Sequence, residues 1–159
     1  MTQLKTIYSD YRTCSRDFMD GLEYLKQRSI PDAERYFEQA YSAAQSNDLN
    51  RPKYLSYYGF SRVLNGYLDG IELCKKAVQA DPDDGDLYLN LSRAELFNGK
   101  RQAAVEILDQ GLLVDRFHQG LLELKNKIGY RNQNPIPILK RSNPLNEVIG
   151  RFIRKTSIH

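Results

Sequence analysis

The sequence repeats a pair of small residues three times at a nearly constant interval. The pairs are Ala33 with Ala40, Gly70 with Ala77, and Ala104 with Gly111, and the members of each pair are seven residues apart. A larger residue follows the first member of each pair by four positions, as Phe37, Cys74 and Leu108. Consecutive pairs begin 37 and 34 residues apart. Because these spacings fall on one face of a helix, the sequence predicts an array of similar helical units with a period of about 34 residues.

Close helix packing explains why small residues recur at these positions. A unit of this length holds two antiparallel helices, A and B, and neither can bury its apolar stripe alone. Small side chains let the two backbones approach, and the aromatic or aliphatic residue between them fills the remaining space. The expected fold is therefore all-α, with stacked hairpins that share a core.

Over roughly residues 14–116, the chain resembles the tetratricopeptide repeat family. The third repeat fits the family pattern best, at Tyr88, Leu91, Ser92, Gly99, Ala104, Leu108 and Gly111. The first repeat matches at Gly21, Tyr24, Ala33, Phe37 and Ala40, and the second at Gly59, Ala77 and Pro82. Asp17 and Asp20 depart from the pattern, because bulky apolar residues are usual there. The resemblance implies an α–α superhelix of about three hairpins plus a capping helix.

The predicted organisation is a repeat domain over residues 1–129 and a tail over residues 130–159. Repeats are expected at about 14–47, 51–84 and 85–116, with a capping helix at 117–128. Asn65-Gly66 and Asn98-Gly99 are expected to end the A helices of the second and third repeats, since glycine adopts the left-handed conformation that closes a helix. Apolar spacing from Leu4 to Leu25 favours a first helix that begins upstream of repeat one.

The tail combines an extended segment with a short basic helix. Pro135 and Pro137 exclude a helix around Ile136, Ile138 and Leu139. An amphipathic helix is expected over residues 144–154, with its apolar face formed by Leu145, Val148, Ile149 and Phe152. Such a short helix is marginal alone. It is therefore expected to pack on the chain's own repeats, on a partner or second copy, or on a membrane surface.

In the family that this chain resembles, the A helices line a concave groove that receives an extended peptide or a helix. The matching positions here are Phe18, Met19, Leu22 and Leu25 in repeat one, Lys53, Tyr57, Phe60 and Leu64 in repeat two, and Leu89, Asn90, Arg93 and Phe97 in repeat three. A mostly apolar groove favours a hydrophobic partner segment. Several of these residues could instead belong to the core.

Some family members grip a partner's C-terminal carboxylate with Lys, Asn and Arg side chains. At the matching positions this chain keeps that chemistry only at Asn90, Arg93 and Lys53. The sequence therefore argues against a carboxylate clamp of the kind that binds chaperone tails.

Charge is divided unevenly along the chain. Met1 to Leu124 carries 15 Lys/Arg against 19 Asp/Glu, and Lys125 to His159 carries 8 against 1. A basic tail on an acidic body suggests attraction to nucleic acid, anionic lipid or an acidic protein surface. A solvated tail, or one that folds back on its own body, explains the same charges.

Catalytic and metal chemistry find little support in the composition. The only cysteines are Cys14 and Cys74, and the only histidines are His118 and His159. His118 lies in a polar joint with no acid or nucleophile partner expected. The stretch Asp81-Pro-Asp-Asp-Gly-Asp resembles a calcium loop but lacks its spacing, and it is better interpreted as a helix end and cap. No catalytic residue, metal site or cofactor is predicted.

The sequence thus predicts a non-catalytic protein–protein interaction module, an adaptor, assembly factor or chaperone-like protein that is cytoplasmic and bacterial. The expected partner is a protein or peptide, and formation of homo-oligomers through the tail is a further alternative. One alternative is a chaperone of the type III secretion translocator kind, although those proteins tend to be acidic. The other is nucleic-acid or anionic-membrane binding through the tail, with nucleic acid and membrane both less favoured than a protein.

Overall fold

The computed structural model describes residues 14–129, and these residues form seven α-helices without a strand. The helices are α1 (Arg16–Lys26), α2 (Ile30–Ala43), α3 (Arg51–Leu64), α4 (Gly70–Ala80), α5 (Gly85–Phe97), α6 (Arg101–Val114) and α7 (Gln119–Ile128). The all-α prediction is confirmed. The chain divides into a compact unit of Met1–Lys125 and a second unit of Asn126–His159, of which the structure describes only residues 126–129.

Capping residues set where the helices begin. Ser15 has an extended backbone, and its Oγ accepts a hydrogen bond from the Phe18 N–H at 3.3 Å. The helix that holds Phe18 therefore begins at Arg16, and the upstream part of the expected helix, from Leu4 to Tyr11, lies outside the described residues. The Asp84 carboxylate caps α5 by accepting from the Asp86 N–H at 2.8 Å. Both caps satisfy backbone donors that the first turn of a helix leaves free.

A left-handed residue ends the first helix of each hairpin. Gly66 and Gly99 have φ angles of 93° and 76°, as the two Asn-Gly pairs predict. In the first hairpin the equivalent residue is Arg28, with a φ of 62°. At all three ends the next N–H turns back to a carbonyl of the preceding helix, as Ser29 does to Tyr24 at 3.0 Å.

Small residues lie where helix backbones meet. The backbones of α3 and α4 touch at Gly59 and Gly70, so that a Cβ on Gly59 would lie 2.6 Å from the Gly70 carbonyl oxygen. Ala33 and Ala104 are fully buried on α2 and α6. The repeated small residues therefore sit at helix contacts, which is the reason that the sequence pattern suggested for them.

Groups of buried side chains hold the hairpins together. Phe18, Phe37 and Tyr54 pack between α1, α2 and α3, and Val63, Cys74 and Ala94 pack between α3, α4 and α5. At the other end, Leu121 of α7 is buried against Gly111 of α6. Each fully buried side chain of Leu or Phe size contributes roughly 1.5–3 kcal/mol.

Candidate protein-binding face

The predicted groove residues all lie on α1, α3 and α5, the first helices of the three hairpins. Four of them are core residues, as the alternative interpretation expects: Phe18, Phe60, Leu89 and Asn90 are buried. The others are half-buried or exposed: Met19, Leu22 and Leu25 on α1, Lys53, Tyr57 and Leu64 on α3, and Arg93 and Phe97 on α5. We name this second set the first-helix face.

Aromatic contacts join α1 to α3 beneath this face. The ring of Phe18 lies 5.0 Å from the ring of Tyr54 and 5.2 Å from that of Tyr57, measured between centroids. Tyr57 also contacts Phe37 at 5.3 Å. Aromatic pairs at such distances add to the stabilisation from burial alone. Tyr57 is therefore held in place, and its exposed part is a rigid element of the first-helix face.

Lys53 is engaged by carboxylates of its own chain. Its ammonium nitrogen lies 3.1 Å from Asp84 Oδ2 and 3.4 Å from Asp86 Oδ2, which tie α3 to the start of α5. Burial alone would lower the pKa of Lys53, but the two carboxylates outweigh burial and raise it. The charge of Lys53 is thus already balanced by α5, which weakens it as a ligand for a partner's carboxylate.

Asn90 is a buried link between two helices. Its Nδ2 donates to Ser56 Oγ on α3 at 3.2 Å, and its side chain is only 1% exposed. The other carboxamide atom, Oδ1, has no hydrogen-bond partner. A partner segment could reach Asn90 only if the neighbouring side chains moved. Among Lys53, Asn90 and Arg93, the residues at the carboxylate-binding positions of some family members, only Arg93 is exposed.

Phe97 is the most accessible apolar residue of the first-helix face. It closes the last turn of α5, and 54% of it is exposed. Leu64 occupies the corresponding last turn of α3 and is partly covered by the core group around Val63. Exposed aromatic side chains of this kind are enriched at the centres of protein interfaces.

His118 has an acid partner that the sequence interpretation missed. Its Nε2 lies 3.1 Å from Asp86 Oδ1, so the expectation that it has no acid partner is wrong. The hydrogen bond to Asp86 raises the pKa of His118, while burial works in the opposite direction. The two residues are 32 positions apart, and no local pattern connects them.

The described residues show no arrangement for metal chemistry, and their cysteines are poor nucleophiles. Residues 14–129 hold no group of three His, Cys, Asp or Glu side chains that could bind a metal ion. Burial raises the pKa of Cys74 to about 12 and also raises that of Cys14. In the same part of the chain, no helix combines the length and apolar character needed to cross a membrane.

The residues predicted for the tail interaction lie outside the described residues. They are Ile136, Ile138, Leu139, Leu145, Val148, Ile149 and Phe152.

Comparison with known proteins found one family model and similar solved structures. Residues 67–128 match the family model of the tetratricopeptide repeat. Among solved structures, the chain is similar to the crystal structure of YrrB, described as a TPR protein with an unusual peptide-binding site. The two are 21% identical, the TM-score is 0.43, and the match covers 67% of this chain and 71% of that chain. A comparison with curated proteins found no match.

Proposed function

We propose that this chain, whose residues 67–128 match the tetratricopeptide repeat model, is a non-catalytic interaction module whose first-helix face binds an apolar peptide or helix of a partner protein. The observation that carries the proposal is the row of partly exposed apolar side chains on consecutive first helices. The row runs from Leu22 and Leu25 on α1 through Tyr57 and Leu64 on α3 to Phe97 on α5.

The energetics of this face favour an apolar ligand. Each Leu- or Phe-sized side chain that a partner buries contributes roughly 1.5–3 kcal/mol before the cost of ordering the partner. The cost of ordering this protein's own side chains is reduced at Tyr57, which is fixed by its contacts with Phe18 and Phe37.

The polar residues near this face support the same choice of ligand. Lys53 is balanced by Asp84 and Asp86, and Asn90 is buried against Ser56. A carboxylate ligand would find only Arg93 exposed among the clamp positions. An apolar segment needs none of these groups, and a peptide with an amidated C-terminus should therefore bind as well as one with a free carboxylate.

A displayed library of random 12-residue peptides, selected on the full chain, tests the proposal. The selected peptides should be rich in Leu, Ile and Phe, and their affinities can be measured by fluorescence anisotropy. Phe97→Asp should weaken binding by at least tenfold, and Phe97→Leu should keep most of it. The matched control is Phe117→Asp, since Phe117 is 83% exposed but lies in the loop between α6 and α7. Unfolding temperatures of all variants should stay close to that of the wild type.

Two outcomes would contradict the proposal. One is a library that yields no binders. The other is a set of selected peptides that bind Phe97→Asp as tightly as the wild type, which would move the binding site away from α5.

The finer role that we propose is that of an adaptor or assembly factor, with a type III secretion translocator chaperone as a narrower alternative. The basic tail supports a second candidate, because residues 125–159 carry 8 Lys/Arg against 1 Asp/Glu. Binding of an anionic vesicle or a nucleic acid through the tail would weaken steeply between low and moderate salt. Peptide binding at the first-helix face would change little over the same range.

A further inference from the structure

His118 joins the start of the capping helix α7 to the start of α5. On one side, its Nε2 lies 3.1 Å from Asp86 Oδ1, in the first turn of α5. On the other side, its Nδ1 accepts a hydrogen bond from the Leu121 N–H, in the first turn of α7, at 3.2 Å. One imidazole ring therefore spans two helices with its two nitrogens.

These two contacts define the tautomer. A backbone N–H can only donate, so Nδ1 must offer its lone pair and carries no proton. The single ring proton is then on Nε2, where it donates to Asp86. In this neutral form His118 caps α7, because it satisfies a backbone donor that the first turn leaves free.

Protonation of His118 affects the two contacts differently. A second proton can only go to Nδ1, where it removes the lone pair that Leu121 uses. The contact with Asp86 becomes a charge-assisted hydrogen bond, which is stronger than the neutral one. A cation at the start of a helix also opposes the helix dipole. Acidification should therefore strengthen the link to α5 and release the cap of α7.

Tight packing keeps the ring from moving away when it gains a proton. A Cβ on Gly85 would lie 2.6 Å from His118 Cδ2, and a Cβ on Gly120 would lie 3.3 Å from His118 Cε1. The ring is thus seated against the backbone of two glycines, one at the start of each helix. The change on protonation should therefore appear at the Leu121 N–H, which donates to Nδ1.

Charged groups on several helices act on the pKa of His118. Asp86 and Asp84 face it from α5, and Asp115 faces it from the end of α6. Lys53 of α3 shares Asp86 with it. The hydrogen bond to Asp86 raises the pKa of His118, burial lowers it, and the three carboxylates add to the increase.

We propose that His118 is a proton-sensitive latch: in its neutral form it caps α7 while bonded to Asp86, and in its protonated form it holds Asp86 as an ion pair and frees the first turn of α7. The latch is independent of any ligand. It would make the order of the capping helix depend on pH in a range where Asp and Glu carboxylates do not titrate.

Nuclear magnetic resonance of the full-length protein between pH 5 and 8.5 tests the latch. The Leu121 amide shift should follow the titration of the His118 ring protons with the same midpoint. Hydrogen exchange at Leu121, corrected for its intrinsic pH dependence, should be at least threefold faster below that midpoint. Asp86→Asn should lower the midpoint. His118→Asn, which can accept at every pH, should abolish the Leu121 transition.

The second histidine supplies the control. His159→Gln removes the only other imidazole and should leave the Leu121 transition unchanged. The proposal is overturned if the Leu121 amide does not change through the titration of His118. It is also overturned if Asp86→Asn leaves the midpoint where it was.

Discussion

Arg62 of α3 forms a two-point contact with Asp69, the residue that precedes α4. Its Nη2 donates to Asp69 Oδ2 at 2.8 Å, and its Nε donates to Asp69 Oδ1 at 3.2 Å. The third nitrogen, Nη1, reaches Glu34 Oε1 of α2 at 3.2 Å. A single guanidinium therefore connects α3 to α2 of the preceding hairpin and to the residue that caps α4, a geometry that its planar fork of donors allows.

Replacing Arg62 with Met should destabilise the protein by about 1–3 kcal/mol, because it leaves the largely buried Glu34 carboxylate without its cation. The free energy of unfolding in urea measures this loss. The matched control is Arg35→Met, which removes an exposed pair with Asp32 and should cost about 0–1 kcal/mol. Equal losses in the two variants would show that the Arg62 contacts add nothing beyond a surface ion pair.

Replacing Arg28 with Gly should stabilise the protein. Arg28 has a φ of 62°, and a left-handed backbone costs a residue with a Cβ roughly 1–2 kcal/mol. Part of the gain is lost because glycine is more flexible in the unfolded chain, so a net increase of about 0.5–1 kcal/mol is expected. Thermal and urea unfolding measure it.

The equivalent turn in the third hairpin provides the reverse substitution for Arg28. Gly99→Ala should destabilise by about 1 kcal/mol, since an added Cβ at Gly99 meets no atom and only the backbone conformation matters. If Arg28→Gly left the free energy of unfolding unchanged while Gly99→Ala lowered it, the left-handed backbone of Arg28 would carry no strain.

Replacing Glu95 with Met should also stabilise the protein. Glu95 is only 4% exposed on α5, and its Oε2 has no hydrogen-bond partner. A buried carboxylate oxygen without a partner carries a desolvation cost, so removing it should raise the free energy of unfolding by about 1–3 kcal/mol. The exposed Glu106→Met serves as control and should change it by less than about 0.5 kcal/mol. A destabilised Glu95→Met would contradict this prediction.

The pH dependence of stability should carry a contribution from His118. Its pKa is raised in the folded protein, mainly by Asp86, so its stabilisation is fully present below the unfolded value of about 6.5. That stabilisation is lost as pH rises through the folded pKa. The unfolding free energy of the wild type minus that of His118→Gln should therefore fall between pH 6 and 8. If this difference rose with pH instead, the pKa of His118 would be lowered on folding and the prediction would be wrong.

Global stability and local order should then respond to acid in opposite directions. The ion pair with Asp86 stabilises the whole fold, while the loss of the Leu121 hydrogen bond loosens the first turn of α7. Parallel changes in both measurements would contradict this separation.

Much of the architecture could be predicted because it depends on local patterns. The small residues predict where helices touch, as at Gly70, and the Asn-Gly pairs predict the left-handed turns at Gly66 and Gly99. The turn at Arg28 has no such signal, because neither Asn nor Gly precedes it or occupies it. There the packing of the hairpin overrides the preference of the residue.

The candidate site could be predicted only in part. Phe18 and Asn90 share a helix face with exposed residues, and helical periodicity cannot separate the open side of that face from the side that packs on the next hairpin. The pairing of His118 with Asp86 depends on how α7 packs against α5. It brings together residues far apart in sequence, and no spacing rule anticipates it.

Asp84 performs two tasks at once, since the same carboxylate caps α5 and accepts the ammonium of Lys53 from α3. The start of one repeat is thus anchored by a cation from the repeat before it. Melting of the second hairpin would remove that cation and weaken the cap of the third. The two repeats should consequently unfold as one cooperative unit. A chain truncated after residue 84 should therefore lose more of its free energy of unfolding than the lost part of the core accounts for.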